Sequence, residues 1–96
     1  MINYQGEEFT ETEFYGREIL EAIQLTNKFP ISKKKLTSSL EKMIHEQFDL
    51  IDKEELEDYI KAKKYVETLT EEEVKNLCFE VKDLYEDVLK EFEIKL

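Results

Sequence analysis

An all-α fold, a compact four-helix bundle, is what this 96-residue chain predicts, and three observations carry the prediction. Only two Gly and one Pro interrupt the sequence, which leaves too few turn signals for many short strands and suits long helices on short links. Three capping boxes mark helix starts: Thr10 with Glu13, Asp52 with Glu55, and Thr70 with Glu73. In such a box the first side chain accepts a backbone N–H while the carboxylate three residues on reaches back. Beyond each start, apolar residues recur at the spacing that a rotation of about 100° per residue gathers on one face. Hydrophobic residues make up 41% of the chain, enough for one small core although 40% is charged.

The elements follow in order. Residues 1–9 read as a short N-terminal arm packed by Ile2, Tyr4 and Phe9, or as a strand. The first helix, about 10–27, aligns Tyr15, Ile19, Ala22 and Ile23. Pro30 separates it from the second, about 33–49, because the residue before a proline avoids the α region. That second helix clusters Leu36, Leu40, Met43, Ile44, Gln47 and Ile51, with Phe48 at the margin. The third, about 53–68, carries Leu56, Tyr59, Ala62, Val66 and Leu69. The fourth, about 70–94, has the longest stripe: Val74, Leu77, Cys78, Val81, Leu84, Tyr85, Val88 and Phe92. Links of a few residues favour antiparallel neighbours. A three-helix core whose long C-terminal helix mediates dimerisation is the alternative architecture.

Charge narrows the function classes. The formal net charge is −10 and the pI about 4.6, which opposes direct binding to nucleic acid or to anionic membranes, where Lys and Arg must meet phosphates. An electrostatically favoured partner is basic. The one Cys allows no internal disulfide, the N-terminus has neither a basic start nor an apolar run, and no stretch reaches the ~18 apolar residues of a membrane span. Those features fit a cytoplasmic protein.

No enzyme signature emerges. One His and one Cys cannot build a zinc site of the usual spacing; His45 falls opposite the apolar stripe of its helix, and Cys78 lies on one, as a small buried hydrophobe does. Gly6 and Gly16 form no phosphate-cradling loop. Carboxylate pairs are so abundant that none signals acid–base chemistry. The sequence therefore predicts no catalytic residue, no cofactor and no metal.

The distribution of charge is more informative. Residues 1–30 carry −4, 31–51 carry +1, 52–69 carry −2 and 70–96 carry −5. On the fourth helix Glu80, Asp83, Asp87 and Glu91 follow an i, i+3, i+7, i+11 course, a row whose neighbours stand about 4.5 to 6 Å apart along the axis. Like charges at these spacings weaken a helix by a few tenths of a kcal/mol each, so stability alone does not explain the row. Such a line of carboxylates reads either as an ordinary solvated face, moderated by Lys82 and Lys90, or as an imitation of the phosphates of a nucleic-acid strand, and the overall charge of −10 moves the balance toward a basic partner. Phe79 lies off the apolar stripe beside Asp83 and Glu86, and Tyr65 is similarly displaced on the third helix, either as aromatic interface anchors or as covers for the bundle's ends or for the N-terminal arm. Against this acidity, Lys33, Lys34 and Lys35 crowd a helix N-terminus, the wrong end for cations. With Lys28 they form the one basic cluster, read as flanking the Pro30 turn, solvated or facing acidic surface elsewhere on the chain or on a second copy.

One short stretch prompts a family comparison. "FTETEF", residues 9–14, resembles the start of the first helix in the acidic four-helix immunity proteins that neutralise nuclease bacteriocins, and length, charge and helix count agree with that family. The family's acidic second helix and its Tyr-Tyr-Pro element have no counterpart: the second helix here starts "SKKKL", and "DKEELEDYIKAKKYV" lacks the paired tyrosines and the proline. No functional residue is carried over.

The expected function is a non-enzymatic acidic protein that binds and inhibits a basic-surfaced protein, a nuclease or other nucleic-acid-processing protein, as a nucleic-acid mimic, an anti-defence or an immunity-type inhibitor. The expected partner-binding residues are Glu80, Asp83, Asp87, Glu91, Phe79 and Tyr65. The alternative is a helical structural or regulatory adaptor acting through homodimerisation or partner-helix binding.

Overall fold

The computed structural model describes residues 1–26, 28–49 and 52–91. Along the described residues the order is β1 (Ile2–Tyr4), β2 (Glu7–Phe9), α1 (Glu11–Thr26), α2 (Lys33–Gln47), α3 (Lys53–Glu67), α4 (Glu71–Leu84) and α5 (Glu86–Glu91). The all-α bundle is therefore the architecture, with a small hairpin at its N-terminus. All three predicted helix starts are capped. Glu13 N–H donates to Thr10 Oγ1 at 3.1 Å, and Glu55 N–H to Asp52 Oδ1 at 3.2 Å. The Thr70–Glu73 box is complete, with Thr70 N–H donating to Glu73 Oε1 at 2.9 Å and Glu73 N–H to Thr70 Oγ1 at 3.2 Å.

The N-terminal segment resolves as strands rather than an irregular arm. β1 and β2 pair antiparallel in the register Ile2↔Phe9, Asn3↔Glu8, Tyr4↔Glu7. Gln5 and Gly6 between them both have positive φ, 52° and 83°, the two-residue turn whose twist matches that of the strands. Aromatic edges fasten the hairpin to α1: the Tyr4 and Phe14 rings meet edge-on at 5.3 Å, and Phe9 lies 6.4 Å from Phe14.

α1 packs against α2, α3 and α4, and α2 packs along α3. Its Ile19, Leu20, Ala22 and Ile23 meet Leu36 and Leu40 of α2, Ala62 and Val66 of α3, and Val74, Cys78 and Val81 of α4 in one buried core. The principal extents, 31, 30 and 29 Å, are nearly equal. The fourth helix folds onto this core instead of projecting as a dimerisation arm. No described helix is long and apolar enough to cross a membrane.

One predicted element is divided. The fourth helix was expected to run unbroken over 70–94, but α4 ends at Leu84, Tyr85 takes φ −120° and ψ 30°, and α5 begins at Glu86. Tyr85 is drawn onto α1. A Cβ at Gly16 would lie 2.7 Å from Tyr85 Cε2, and the Tyr85 hydroxyl donates to the Glu13 carbonyl at 3.1 Å. Glycine is what lets the ring lie on the α1 backbone. Leu84, expected on the buried stripe, is consequently 51% exposed. Phe92 and the end of the predicted fourth helix, Ile51 of the second stripe, and Asn27 lie outside the described residues.

Of the lysines at the start of α2, Lys33 is explained by its neighbours, while Lys34 and Lys35 are exposed. Ser32 caps the helix through its hydroxyl, which accepts Lys35 N–H at 3.2 Å, but no glutamate stands three residues on to complete a box. Glu71 of α4 supplies a carboxylate from across the fold, its Oε2 accepting Lys33 N–H at 3.1 Å. The Lys33 ammonium in turn reaches the last turn of α3 and donates to the Glu67 carbonyl at 3.0 Å. A cation at one helix N-terminus thus serves the C-terminus of another, where positive charge is favourable.

Glu18 is the exception to this matching of charges. It is 9% exposed, and its Oε2 is buried with no hydrogen-bond partner. Burial pushes its pKa up to about 7; its own backbone N–H and Arg17 oppose the rise, while Asp58 of α3 and Glu21 add to it. Burial also raises the pKa of the Asp58 carboxyl.

Two predictions follow from these contacts. The folded chain holds a proton on Glu18 that the unfolded chain releases near the ordinary carboxylate pKa. The stability it confers is therefore complete below about pH 4.5 and lost as pH rises towards 7. Glu18→Gln is expected to remove up to roughly 3 kcal/mol of that pH dependence, read as the difference between urea midpoints of parent and variant from pH 4.5 to 8. Parallel curves would contradict it. Gly16→Val is expected to cost about 1–3 kcal/mol by overpacking against Tyr85, with faster hydrogen exchange in α5 than in α3.

Candidate partner-binding surface

The four carboxylates expected in a row on one helix are divided between two helices in the structure. Glu80, Asp83, Asp87 and Glu91 are all exposed, but the break at Tyr85 leaves the first two on α4 and the last two on α5. Glu91 borders a cavity of about 390 Å³ together with Arg17, Leu20, Glu21, Tyr85 and Val88, and so stands beside α1. Glu80 is held from the other side: its Oε2 accepts the Thr12 hydroxyl at 3.0 Å, which ties α4 to the first turn of α1. Asp83 and Asp87 make no side-chain hydrogen bond or ion pair among the described residues.

The two aromatics lie on different flanks. Phe79 is 41% exposed and meets Phe29 edge-on at 5.0 Å, covering the turn before α2. Tyr65 lies against Tyr15 of α1 with ring centroids 5.5 Å apart. Its hydroxyl pKa is raised by burial, opposed by a hydrogen bond with Thr12, and raised further by Glu11, Glu80 and Glu73. Carboxylates of α1 and α4 therefore face the phenol of α3.

That convergence marks a cleft. α3 and α4 are joined by residues 68–70 but, unlike the other neighbouring pairs, do not pack along each other. Between them opens a cavity of about 250 Å³ lined by Tyr65, Leu69, Glu73, Asn76, Leu77 and Glu80. Positions 73, 76, 77 and 80 share one helix face by their spacing. Of this group the sequence singled out Tyr65 and Glu80. Glu73 was legible as a cap, and the 73–76–77–80 spacing was available, but the opening at the α3–α4 seam has no sequence signal.

Both carboxylates at the cleft are oriented by internal bonds. Glu73 is fixed through Thr70, whose backbone and hydroxyl bonds lower its pKa, and Glu80 through Thr12. Lys63 forms the ion pairs present among the described residues, with Glu41 at 3.3 Å and Glu67 at 3.2 Å, so no lysine or arginine of the chain pairs with Glu73 or Glu80 there.

Other chemistry is thinly represented. Among the described residues no group of three or more His, Cys, Asp or Glu is placed to hold a metal ion. His45 is exposed on α2. Cys78 is fully buried, and burial raises its thiol pKa although the Ile31 backbone opposes the rise, the opposite of an activated nucleophile. Tyr59 spans α1 and α3, its hydroxyl 2.5 Å from Glu21 Oε2 and 2.8 Å from Glu55 Oε1, so that one proton serves two acceptors.

Comparison with protein-family models, with curated proteins and with solved structures finds no match. The sequence likeness to the immunity proteins is confined to residues 9–14, beside the general agreement in length, charge and helix count.

Proposed function

We propose that this chain is a non-enzymatic inhibitor acting in the cytoplasm, which binds the basic surface of a nuclease or another nucleic-acid-processing protein and occupies it as nucleic acid would. An anti-defence or immunity-type role fits that action. The observation that carries the reading is the placement of the acid surplus. Glu80, Asp83, Glu86, Asp87 and Glu91 are exposed along α4 and α5, next to exposed Glu11 and Glu13 of α1. Of the basic cluster, Lys33 is half-buried and donates to the Glu67 carbonyl, while Lys28, Lys34 and Lys35 are exposed at the turn before α2 and on its first turn.

Physically, such a surface acts in two ways. Its long-range field steers a basic partner and raises the association rate. Its carboxylates stand on packed helices, so less ordering is required on contact than for a flexible acidic tail. The adaptor alternative would use the apolar stripe of the fourth helix, but Val74, Leu77, Cys78 and Val81 are buried in the chain's own core. The inhibitor reading is accordingly preferred.

The test is capture from a host lysate at low salt with the parent and with the Asp83→Lys/Asp87→Lys variant, followed by assay of the captured enzyme on its nucleic-acid substrate. The parent is expected to retain and inhibit a nucleic-acid enzyme, with an association rate that falls at least about tenfold as salt rises from low to physiological strength. The variant is expected to lose both. Salt-insensitive self-association as the sole interaction would instead favour the adaptor.

A further inference from the structure

We propose that the cleft between α3 and α4 receives an arginine side chain of the basic partner, making it the specific docking point of an otherwise diffuse acidic surface. The proposal rests on the inhibitor reading and adds to it a place and a chemistry. At about 250 Å³ the cleft is smaller than the ~300–1,000 Å³ of sites that enclose a small molecule, and matches one long side chain. Leu69 and Leu77 offer apolar contact to a methylene stem, Tyr65 an aromatic wall, and Glu73 and Glu80 two carboxylates, with the Asn76 amide between them.

Charge complementarity decides the occupant. The carboxylates lie seven residues apart on α4, about 10 Å along the axis, and each already uses one oxygen internally: Glu73 Oε1 for Thr70 N–H, Glu80 Oε2 for the Thr12 hydroxyl. The remaining oxygens form no ion pair within this chain among the described residues; Lys33 acts on Glu73 only through its field, and no cation among those residues is paired at Glu80. An anion is repelled by both groups and by Glu11 nearby. A planar guanidinium satisfies the cleft better than an ammonium does, because it stacks on an aromatic face while its fork of donors reaches carboxylate and amide oxygens together. Tyr65 is presented for that purpose by its packing on Tyr15.

The probe is a blocked hexa-arginine peptide, with hexa-lysine of equal length as control, titrated into the full chain at about physiological salt and followed by amide and Asn76 side-chain NMR shifts. Hexa-arginine is expected to move Tyr65, Leu69, Asn76 and Leu77 first and to bind at least about fivefold more tightly than hexa-lysine. Glu73→Gln and Glu80→Gln keep the hydrogen bonds to Thr70 and Thr12 while removing charge, and each is expected to weaken hexa-arginine several-fold. Tyr65→Leu, which keeps apolar packing, is expected to abolish the preference over lysine. Glu54→Gln, which removes the same charge from the far end of α3, is expected to change nothing.

Shifts spread evenly over the acidic helices, equal binding of the two peptides, or equal weakening by Glu54→Gln and Glu80→Gln would each overturn the cleft. If the captured enzyme were still inhibited in those cases, the inhibitor reading would stand without it. A cleft that binds hexa-arginine as described in a chain that inhibits no nucleic-acid enzyme would uphold the docking site and overturn the inhibitor.

Discussion

The whole structure depends on the burial of α1. A single helix in so small a domain has to be covered from several sides if it is to supply a core, and here α2, α3 and α4 cover three flanks while the hairpin covers Phe14 on another. Ile19 and Ala22 are fully buried as a result. That arrangement also sets what the other elements can do. α4 must turn at Tyr85 to lie over Gly16, Tyr65 must stack on Tyr15, and Thr12 meets Glu80. Glu18 is the cost of wrapping a helix so completely: one polar position is enclosed with the rest, and a neutral carboxyl is the cheapest form in which it can remain there.

Much of this was legible in the sequence, for identifiable reasons. Capping boxes and apolar spacing are local signals, so the helix starts at Thr10, Asp52 and Thr70 and the buried faces of α1, α3 and α4 could be read directly. What escaped reading depends on residues far apart in the chain. The break at Tyr85 has no local cause, since neither Gly nor Pro stands nearby; it arises from a glycine 69 positions earlier. Lys33 looked misplaced because the partners of its backbone and ammonium, Glu71 and the Glu67 carbonyl, lie 34 to 38 residues further on. The hairpin was the exception, a local feature left open because Gln5-Gly6 is a less familiar turn pair than Asn-Gly or Asp-Gly.

Acidic residues serve two separate purposes in the molecule. Glu13, Glu71 and Glu73, although exposed, accept from helix starts or threonine hydroxyls, where each satisfies a backbone or side-chain donor that would otherwise lack a partner in the fold. Asp83, Glu86 and Asp87 face outward and contribute little to the fold except mutual repulsion. Glu80 belongs to both groups, since one oxygen secures α1 and the other is free. Residues of this kind join the outer field to the inner frame, and they hold a carboxylate in place without the entropy loss that a free side chain would suffer on binding.

The lone thiol has a practical consequence. Cys78 sits at the centre of α4 with no exposed surface, so a thiol reagent reaches it only when the core itself parts. The rate of its modification is a clock for opening of the core around α4, intrinsic to the unaltered protein and independent of any optical probe. A partner that binds only the closed fold, at free concentration L, would slow the same clock by a factor of about 1 + L/Kd, turning a silent core residue into a gauge of how far that face is occupied.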